Sequence, residues 1–398
     1  MRRPIKARIP HRSKSTRRVK PAASSSVRGR TGERVRFAVI GQGYFAQAAI
    51  LPAFASTRGC ELRAIFSDDD EKLSTLRKKY GVATALGYDH YDEYLRSGQI
   101  DAVYIALPND QHRDYTIRAA RAGIHVLVEK PIGLDADEAE RMKLVCEESN
   151  VKLMVAYRLH FEGATLDAIE RVASGTIGRP RFFSTTFAMQ VEKGNIRTRA
   201  ARGGGPLLDL GVYCVNAARS LFRAEPIAVT AMSATRGNDS RFKEIDEQVS
   251  AILRFPDDRL AQMTCSFGAY DHSSLTVVGD EGRIDMDPAY DYATELTVRT
   301  QVNGRKPQEK RFPKRDQVAA ELDAFARCVR EDREPEPSGE EGLADMRVLD
   351  AIQRAIETGR TEPVNRVVRH LRPSTRQEIT RAPHAMPAIV HATPPGRD

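Results

Sequence analysis

The chain has 398 residues, 41% of them apolar, which is enough for two domains with sizeable cores. Its formal charge is +8, but residues 1–33 hold eleven Lys or Arg and one acid, so the rest of the chain is slightly acidic. Residues 34–398 are therefore not basic, and an argument for nucleic-acid binding could rest only on residues 1–33.

Residues 1–33 mix Arg, Lys and Pro with a Ser run at 24–26. Such a segment cannot bury enough apolar surface to fold alone, so we predict a disordered basic tail, with an arm that embraces a partner subunit as the alternative. Arginine pairs occur at 2–3 and 17–18. No apolar stretch follows either pair within the tail, so we expect a cytoplasmic protein without an export signal.

The five cysteines are widely spaced, with no C-x-x-C pair and no Cys/His group at zinc-binding spacing. This distribution is typical of buried thiols in a reducing compartment. The sequence therefore predicts no metal site and no disulfide framework.

The first predicted strand, 35–40, leads into a glycine-rich turn and a helix. Gly41, Gly43 and Ala46 form the pattern G-x-G-x-x-A, which is typical of a dinucleotide-binding turn. Gly41 permits the sharp turn, Gly43 lets a pyrophosphate approach the backbone, and the helix N-terminus offers free N–H groups to phosphates. An ordinary strand–turn–helix is the alternative. A membrane span is excluded because Gly, Gln and Pro interrupt the charge-free run from 37 to 57.

Short apolar strands alternate with helical patterns as far as residue 155, which predicts a doubly wound parallel sheet in an N-terminal domain over 34–155. Ligands bind such sheets at the carboxyl ends of the strands. The remaining predicted elements of this domain are strands at 61–66, 102–107, 125–128 and 153–156, and helices at 72–80, 115–122 and 136–148.

The second strand ends in S-D-D-D-E-K at 67–72. An acid at this point would bind a ribose 2′-hydroxyl and favour NAD, and Asp68 could do so. A hydroxyl and a cation suit the 2′-phosphate of NADP, and Ser67 and Lys72 offer both. We favour NADP; an acid-rich helix start with Lys72 on the surface is the non-functional alternative.

The next two strands end in L-P-N-D-Q-H at 107–112 and in Glu129-Lys130-Pro131. Asn109 can cap the following helix, and a cap without any ligand contact is the non-functional alternative. Lys130 follows a buried strand and precedes a proline, so a stiff backbone would aim it into the ligand crevice.

A second domain is predicted over 156–363. Within it, G-G-G-P at 203–206 predicts a turn, which is followed by an apolar helix that carries Asp209 and Tyr213. These two side chains lie four residues apart and so share one helical face. A carboxylate and a phenol are unfavourable in an apolar helix unless they are paired or functional, so a hydrogen bond between them and a catalytic role both stay open.

Closely spaced strand patterns in this domain favour a large, mainly antiparallel sheet. The helix with Asp209 and Tyr213 can cover one face, and we expect the other face to pair with another subunit in a homodimer or homotetramer. Residues 364–398 are rich in Pro and Arg and predict a loosely ordered C-terminal tail. The predicted elements are strands at 181–187, 227–234, 248–255, 260–267, 274–278, 283–286 and 295–300, and helices at 163–174, 318–330 and 342–358.

Four motifs together resemble the Gfo/Idh/MocA oxidoreductase family, most closely its glucose–fructose oxidoreductase branch. They are G-Q-G-Y-F-A at 41–46, L-P-N-x-x-H at 107–112, E-K-P at 129–131 and G-G-G-P-L-L-D-L-G-V-Y at 203–213. The likeness spans residues 34 to 365 in order, which makes it far more specific than the glycine pattern alone. It implies a Rossmann domain followed by an α/β domain with a large open antiparallel sheet, and oligomers formed through that sheet.

The resemblance also implies the site residues. Lys130 would contact both the nicotinamide ribose and the substrate hydroxyl, and Asp209 and Tyr213 would be the family's catalytic pair. The expected cofactor is NADP, held at its 2′-phosphate by Ser67 and Lys72, with NAD possible. The expected cofactor-binding residues are Gly41, Gly43, Tyr44, Phe45, Ala46, Ser67, Lys72, Leu107, Asn109, His112, Glu129, Lys130 and Arg158.

The implied reaction is reversible hydride transfer between nicotinamide and a sugar carbinol carbon, so we expect an NAD(P)-dependent oxidoreductase acting on CH–OH groups. Tyr213 would take the hydroxyl proton; since a free phenol titrates near pH ~10, the Lys130 cation would stabilise the phenolate. Asp209 would orient the sugar or Lys130, and Glu129 would steady Lys130. The alternatives are a reductase of non-sugar carbonyls or dihydrodiols, and a non-catalytic nucleotide sensor, which needs no acid–base group.

Overall fold

A six-stranded sheet forms the first half of the computed structural model, which describes residues 33–292 and 294–396. Its strands are β1 (Val35–Ile40), β2 (Cys60–Phe66), β3 (Thr84–Leu86), β4 (Ala102–Ile105), β5 (His125–Val128) and β6 (Leu153–Val155). They lie in the order β3-β2-β1-β4-β5-β6 and all pair in parallel, which confirms the predicted doubly wound sheet. The central strands are apolar and buried along their length, as expected of a sheet covered on both faces.

Helices connect these strands and pack on both faces of the sheet. They are α1 (44–56, with a π-helical segment Ala46–Ile50 and an α-helical segment Leu51–Ala53), α2 (Asp70–Tyr80), α3 (Tyr91–Leu95), α4 (His112–Arg121) and α5 (Ala136–Glu148). The sequence did not predict β3 or α3, because elements of three and five residues are too short to show a hydrophobic period.

Helix α8 (Gln317–Glu331) packs on the first sheet although it comes near the end of the chain. Its Phe325 contacts Phe37 of β1, with ring centroids 6.1 Å apart. The sequence assigned 318–330 to the second domain. An amphipathic pattern shows that a helix has an apolar face, but it does not show which sheet that face covers.

A second sheet follows, with β7 (Pro180–Ala188), β8 (Ala228–Ala234), β9 (Gln248–Arg254), β10 (Leu260–Ser266), β11 (His272–Gly279), β12 (Gly282–Met286), β13 (Leu296–Val302), β14 (Gln308–Phe312) and β15 (Glu362–Pro363). The order is β14-β13-β12-β11-β7-β10-β9-β8-β15. Only the β7–β10 pair in this sheet is parallel, so the predicted large, mainly antiparallel sheet is confirmed. The sequence did not predict β14, whose Q-E-K-R-F is largely exposed and lacks an apolar alternation.

One face of this second sheet is covered and the other is exposed. Helices α6 (Gly163–Ala173), α7 (Val212–Phe222) and α9 (Gly339–Thr358) pack on the covered face, and α7 is preceded by a π-helical segment, Leu207–Gly211. The opposite face presents large apolar side chains to the outside, among them Phe182, Ile252 and Met232, which is 76% exposed. Such a face is typical of a protein–protein contact.

A buried group of charges joins α7 to α9. Arg219 is fully buried, and its guanidinium donates to Glu225 (2.5 Å), to Glu341 (2.8 Å) and to Asp345. The carboxylates keep the pKa of Arg219 above its ordinary value although burial alone would lower it. Buried ions of this kind depend on one another, since removing one leaves the opposite charges less compensated in a medium of low dielectric constant.

Residues 364–396 follow a defined path along the surface, whereas the sequence predicted a loosely ordered tail. They contain little regular structure, but their charged side chains meet carboxylates of the body: Arg372 pairs with Glu225 at 2.8 Å and Arg381 with Asp323 at 2.7 Å. A composition argument counts apolar residues and misses such pairs. The basic tail predicted for 1–33, with its arm, lies outside the described residues except for Glu33.

Within the described residues, no helix is long and apolar enough to cross a membrane. The five cysteines are free thiols, and Cys60, Cys146, Cys214 and Cys265 are buried.

Candidate active site

A cleft of about 760 Å³ runs between the carboxyl ends of the first sheet and the start of α7. Of the residues that the sequence predicted for cofactor binding, all except His112 line it. The catalytic candidates Lys130, Asp209 and Tyr213 also line it. The topology explains this convergence, because parallel strands present their carboxyl ends, and the loops that follow them, at one edge of the sheet.

The glycine-rich turn has the geometry that the sequence pattern predicts. Gly41 has a φ of +99°, and a Cβ there would lie 2.5 Å from the carbonyl oxygen of Ala106, so a side chain is excluded. At Gly43 a Cβ would meet no described atom within 4 Å, because the residue faces the open cleft. A ligand can therefore approach the backbone at Gly43, directly before the N–H groups that begin α1.

At the end of β2, Ser67, Asp68 and Lys72 line the same cleft. The backbone N–H of Asp69 donates to the buried Ser67 hydroxyl at 3.1 Å, and Asp69 caps α2 by accepting from the N–H of Lys72 at 2.9 Å. The acids at 68–71 therefore do begin a helix, as the non-functional alternative states. Ser67 and Lys72, which flank them, nevertheless line the cleft.

Lys130 and Asp209 form an ion pair at the inner end of the cleft. The ammonium nitrogen of Lys130 lies 2.8 Å from Asp209 Oδ1 and 2.9 Å from the Asp209 carbonyl oxygen. The same nitrogen lies 4.8 Å from the ring centre of Tyr213. Both charged side chains are at least 85% shielded from solvent. The three candidates, taken from two separate halves of the chain, therefore meet at one point.

The charges of this pair reinforce each other. Burial would lower the pKa of Lys130, but the Asp209 carboxylate outweighs it and the pKa is raised above the ordinary value. Burial likewise opposes ionisation of Asp209, but Arg197 and Lys130 hold its pKa well below the usual range. Lys130 is consequently a permanent cation beside the Tyr213 ring at neutral pH.

Arg197 is a site residue that the sequence analysis missed. Its Nε donates to Asp209 Oδ2 at 2.8 Å, so the two oxygens of Asp209 bind two different cations rather than the Tyr213 hydroxyl. Arg197 lies in a loop, 193–205, that bridges the two halves: Arg202 pairs with Asp110 at 2.6 Å. The run R-T-R-A-A-R at 197–202, just before the three glycines, was the available signal, but arginines in loops are usually solvated.

The structure corrects three assignments on the first-domain side. His112 is fully buried outside the cleft, and its ring nitrogens lie 2.9 Å from the carbonyl oxygens of Pro131 and Leu107, so it fixes two strand-end loops instead of touching a ligand. Asn109 lines the cleft but does not cap the helix; its amide donates to Gly203 O at 2.9 Å. Glu129 accepts from the Lys130 backbone N–H (3.3 Å) and so steadies the backbone, not the ammonium group.

Arg158 forms part of the wall behind Tyr213. Its guanidinium carbon lies 5.3 Å from the ring centre of Tyr213, and its Nη2 donates to the Tyr290 carbonyl oxygen at 2.6 Å. The Tyr213 ring also packs against Phe187, with ring centroids 5.5 Å apart. These contacts hold the phenol on the cleft wall.

A second carboxyl group, Glu321 of α8, lies beside Glu129 in the same wall. The Tyr104 hydroxyl is 2.8 Å from Glu129 Oε1 and 3.2 Å from Glu321 Oε1. One phenolic hydrogen cannot serve both contacts, so one carboxyl must carry a proton. Burial raises the pKa of both carboxyls, but that of Glu129 is opposed first by the Lys130 cation, whereas that of Glu321 is raised well above its usual range and further by the Glu129 charge. We therefore infer that Glu321 carries the proton.

We expect Glu321→Gln to stabilise the protein at alkaline pH and to leave it nearly unchanged at pH ~5. The pKa of Glu321 is higher in the folded state than in the unfolded state. Its contribution to the free energy of unfolding is therefore fully present at low pH, where the residue is protonated, and is lost as the pH rises through the folded-state pKa. Glutamine keeps the neutral form, so we expect a gain of about 1–3 kcal/mol at pH ~8.5, the scale of a badly solvated buried polar group. Urea unfolding at the two pH values measures it, with Glu93→Gln, 85% exposed, as the control. A gain of equal size at both pH values would contradict the protonated assignment.

Two family models match the chain in succession. The first, described as an oxidoreductase family with an NAD-binding Rossmann fold, matches residues 35–157, and the second, the GFO/IDH/MocA C-terminal domain, matches residues 165–285. The first match spans the whole parallel sheet, and the second spans β7 to β11 and most of β12 but ends before β13.

Individual relatives extend over nearly the whole of their own lengths. A D-xylose 1-dehydrogenase [NADP(+)] from Haloarcula marismortui is 32% identical over 339 residues, covering 83% of this chain and 93% of that protein. The crystal structure of aldose-aldose oxidoreductase from Caulobacter crescentus, complexed with glycerol, is 34% identical with a TM-score of 0.80, covering 83% of this chain and 100% of that one. A 3-ketoreductase from Actinomadura kijaniata, in complex with NADP and TDP-benzene, is 28% identical with a TM-score of 0.74 over 81% and 98%.

Proposed function

The chain belongs to the GFO/IDH/MocA oxidoreductase family, and from this premise we propose that it is an NADP-dependent aldose dehydrogenase, which oxidises a sugar CH–OH group and can run in reverse. The coarser activity, an NAD(P)-dependent oxidoreductase of sugars, rests on relatives that are D-xylose dehydrogenases and an aldose-aldose oxidoreductase. The observation that carries the proposal is the convergence of Lys130, Asp209 and Tyr213 at the inner end of a cleft that begins with the glycine-rich turn.

The cleft residues fit a dinucleotide. Gly43 offers an open approach to the backbone where a Cβ would otherwise project, and the N-terminus of α1 follows it directly. Ser67 and Lys72 would bind the 2′-phosphate, and the wall that includes Tyr44 and Phe45 would hold the middle of the molecule. Bound NADP would supply the nicotinamide ring that accepts the hydride.

The chain's own residues would handle the proton. Tyr213 would take the proton of the sugar hydroxyl as the general base. Lys130, a permanent cation 4.8 Å from the ring centre, would stabilise the phenolate that results. Asp209 would position Lys130 through the 2.8 Å ion pair, and Arg197 would fix Asp209 from its other oxygen.

Steady-state kinetics with NADP⁺ and NAD⁺ over a set of pentoses and hexoses tests the proposal, with reduced nucleotide followed by absorbance. We expect turnover of at least one aldose and a preference for NADP⁺. Oxidation of non-sugar dihydrodiols in place of aldoses would overturn the substrate class, and a strong preference for NAD⁺ would overturn the cofactor assignment. Nucleotide binding without any turnover would favour a sensor instead.

We also propose a homo-oligomer formed through the exposed face of the second sheet, where Phe182, Met232 and Ile252 lie outside the helical cover. Sedimentation equilibrium would measure the mass, and a monomer at micromolar concentration would contradict the proposal. The five free thiols suit a reducing compartment, and we therefore propose the cytoplasm.

A further inference from the structure

The last described residues of the chain cross the mouth of the cleft. This segment, residues 380–396, is called the C-terminal strap below. His391, Ala392, Thr393 and Pro395 of the strap line the cleft together with the residues of the glycine-rich turn and the end of β2. The strap is thus a wall of the site, although its first residue, 380, lies 95 positions beyond the end of the second family match at residue 285.

The strap is anchored first on α1 and α8. His384 Nε2 lies 3.0 Å from the Ala48 carbonyl oxygen of α1, and its Nδ1 lies 3.0 Å from Asp316 Oδ2, directly before α8. One histidine of the strap therefore contacts both helices.

A second anchor lies closer to the cleft. Gln47 of α1 is fully buried, and its amide pairs with the backbone of Val390 in both directions: Gln47 Nε2 donates to Val390 O and Val390 N donates to Gln47 Oε1, each at 2.8 Å. A buried amide without such partners is costly, so this contact fixes the strap just before it enters the cleft.

The strap ends on the opposite side of the cleft, next to the second sheet. The backbone N–H of Glu192 donates to Pro395 O at 2.9 Å, and Gly396 forms an isolated antiparallel bridge with Val191. Since Val390 is held by α1 and Gly396 by the chain after β7, residues 391–395 must span the opening between them.

Where it crosses, the strap brings an imidazole to the acidic start of α2. His391 Nδ1 lies 2.9 Å from Asp69 Oδ2, and Nε2 lies 3.2 Å from Glu71 Oε2. The hydrogen bond that His391 makes to Asp69 and the charge of Glu71 raise the pKa of His391. Asp69 and Glu71 lie between Ser67 and Lys72, the proposed 2′-phosphate residues, in the sequence, and the acids Asp68 and Asp69 would otherwise repel a phosphate there.

We propose that the C-terminal strap is part of the NADP site of this protein: it closes the cleft over the bound nucleotide and slows its release, and His391 offsets the acids around the 2′-phosphate. The inference rests on the proposed function for the identity of the nucleotide. It adds a cofactor-binding element at the far end of the chain and predicts that NADPH leaves the site slowly after each cycle.

The release rate of NADPH is the direct test. A variant that ends at residue 387 keeps the anchors Arg381 and His384 but lacks the crossing segment. We expect it to release NADPH at least about tenfold faster than the full chain in a stopped-flow displacement experiment followed by nucleotide fluorescence. An equal release rate, in a variant whose circular dichroism and melting temperature match the full chain, would overturn the proposal.

A measurement on the full chain covers the case in which the truncated variant does not fold. Hydrogen–deuterium exchange of a peptide that spans 388–396 should slow when NADPH is added, because the strap then packs on a ligand as well as on the body. Unchanged exchange of that peptide, alongside protection at the glycine-rich turn, would show that the nucleotide binds without the strap.

Two histidine variants separate charge from simple closure. We expect His391→Ala to weaken NADPH binding about tenfold and NADH binding about twofold or less, since only NADPH carries the 2′-phosphate. His370→Ala is the matched control, because His370 pairs with Glu340 at 2.8 Å outside the cleft, and it should change neither affinity. Equal losses for both nucleotides would reject the role of His391. Failure of the full chain to bind either nucleotide would instead reject the proposed function.

Discussion

Replacing Tyr213 with phenylalanine should lower the turnover number for the aldose by about 10²–10⁴-fold, the usual effect of losing a positioned acid–base group. The ring would stay where it is, because Phe187 and Arg158 contact its faces and edge rather than its hydroxyl. Only the oxygen that accepts the proton is removed. Lys130 and Asp209 keep their ion pair, so NADPH affinity should change by less than about twofold.

Tyr290→Phe is the matched control for this experiment. Tyr290 lies beside Tyr213, with ring centroids 6.0 Å apart, but its hydroxyl is buried against Thr185 at 2.6 Å and does not line the cleft. We expect it to keep turnover within a few-fold. Turnover by Tyr213→Phe at the level of the unmodified chain would remove Tyr213 from the proton transfer, and equal losses in both variants would indicate disturbed packing instead.

Replacing Arg219 with methionine should destabilise the protein by about 3–5 kcal/mol, the typical result of breaking a buried ion pair by removing one partner. Methionine fills much of the space of the arginine side chain, so the main loss is the charge that Glu225, Glu341 and Asp345 share. Of these carboxylates, Asp345 is the most sensitive: it is fully buried, and burial already raises its pKa despite the arginine.

Urea unfolding followed by circular dichroism measures this loss. Arg254→Met is the control, since Arg254 pairs with Asp258 at 2.9 Å on the surface, where the two side chains are 59% and 80% exposed. We expect that variant to change the free energy of unfolding by less than about 0.5 kcal/mol. Similar losses in the two variants would mean that burial of the charges around Arg219 has no special effect.

The sequence could predict those parts of the structure that depend on local pattern. Strands β1 and β5 have the bounds that their apolar runs indicate, and α5 begins and ends at the predicted residues. The fold class followed from the alternation of such elements. Lys130 and Gly41 could be placed at the cleft because a parallel sheet puts every strand end at one edge.

Other features depend on contacts between distant residues, and no local pattern encodes them. Arg197 looks like any loop arginine until its Nε is seen 2.8 Å from Asp209. His112 has a polar side chain that could bind a cofactor, but both of its ring nitrogens contact backbone carbonyl oxygens instead. Helix α8 shows an apolar face without indicating the sheet it covers, and the strap is held by single hydrogen bonds that composition cannot reveal.

The pairing of Gln47 with Val390 also constrains how the chain is made. The two residues are 343 positions apart, so at about 5–20 residues per second a ribosome adds Val390 roughly 17–70 s after Gln47. During that interval Gln47 and the Ala48 carbonyl lack the contacts that Val390 and His384 give them in the folded protein. The contacts of α1 are thus completed only after residues 384–390 have been made, and a chain that stopped before them would leave this helix without two of its partners.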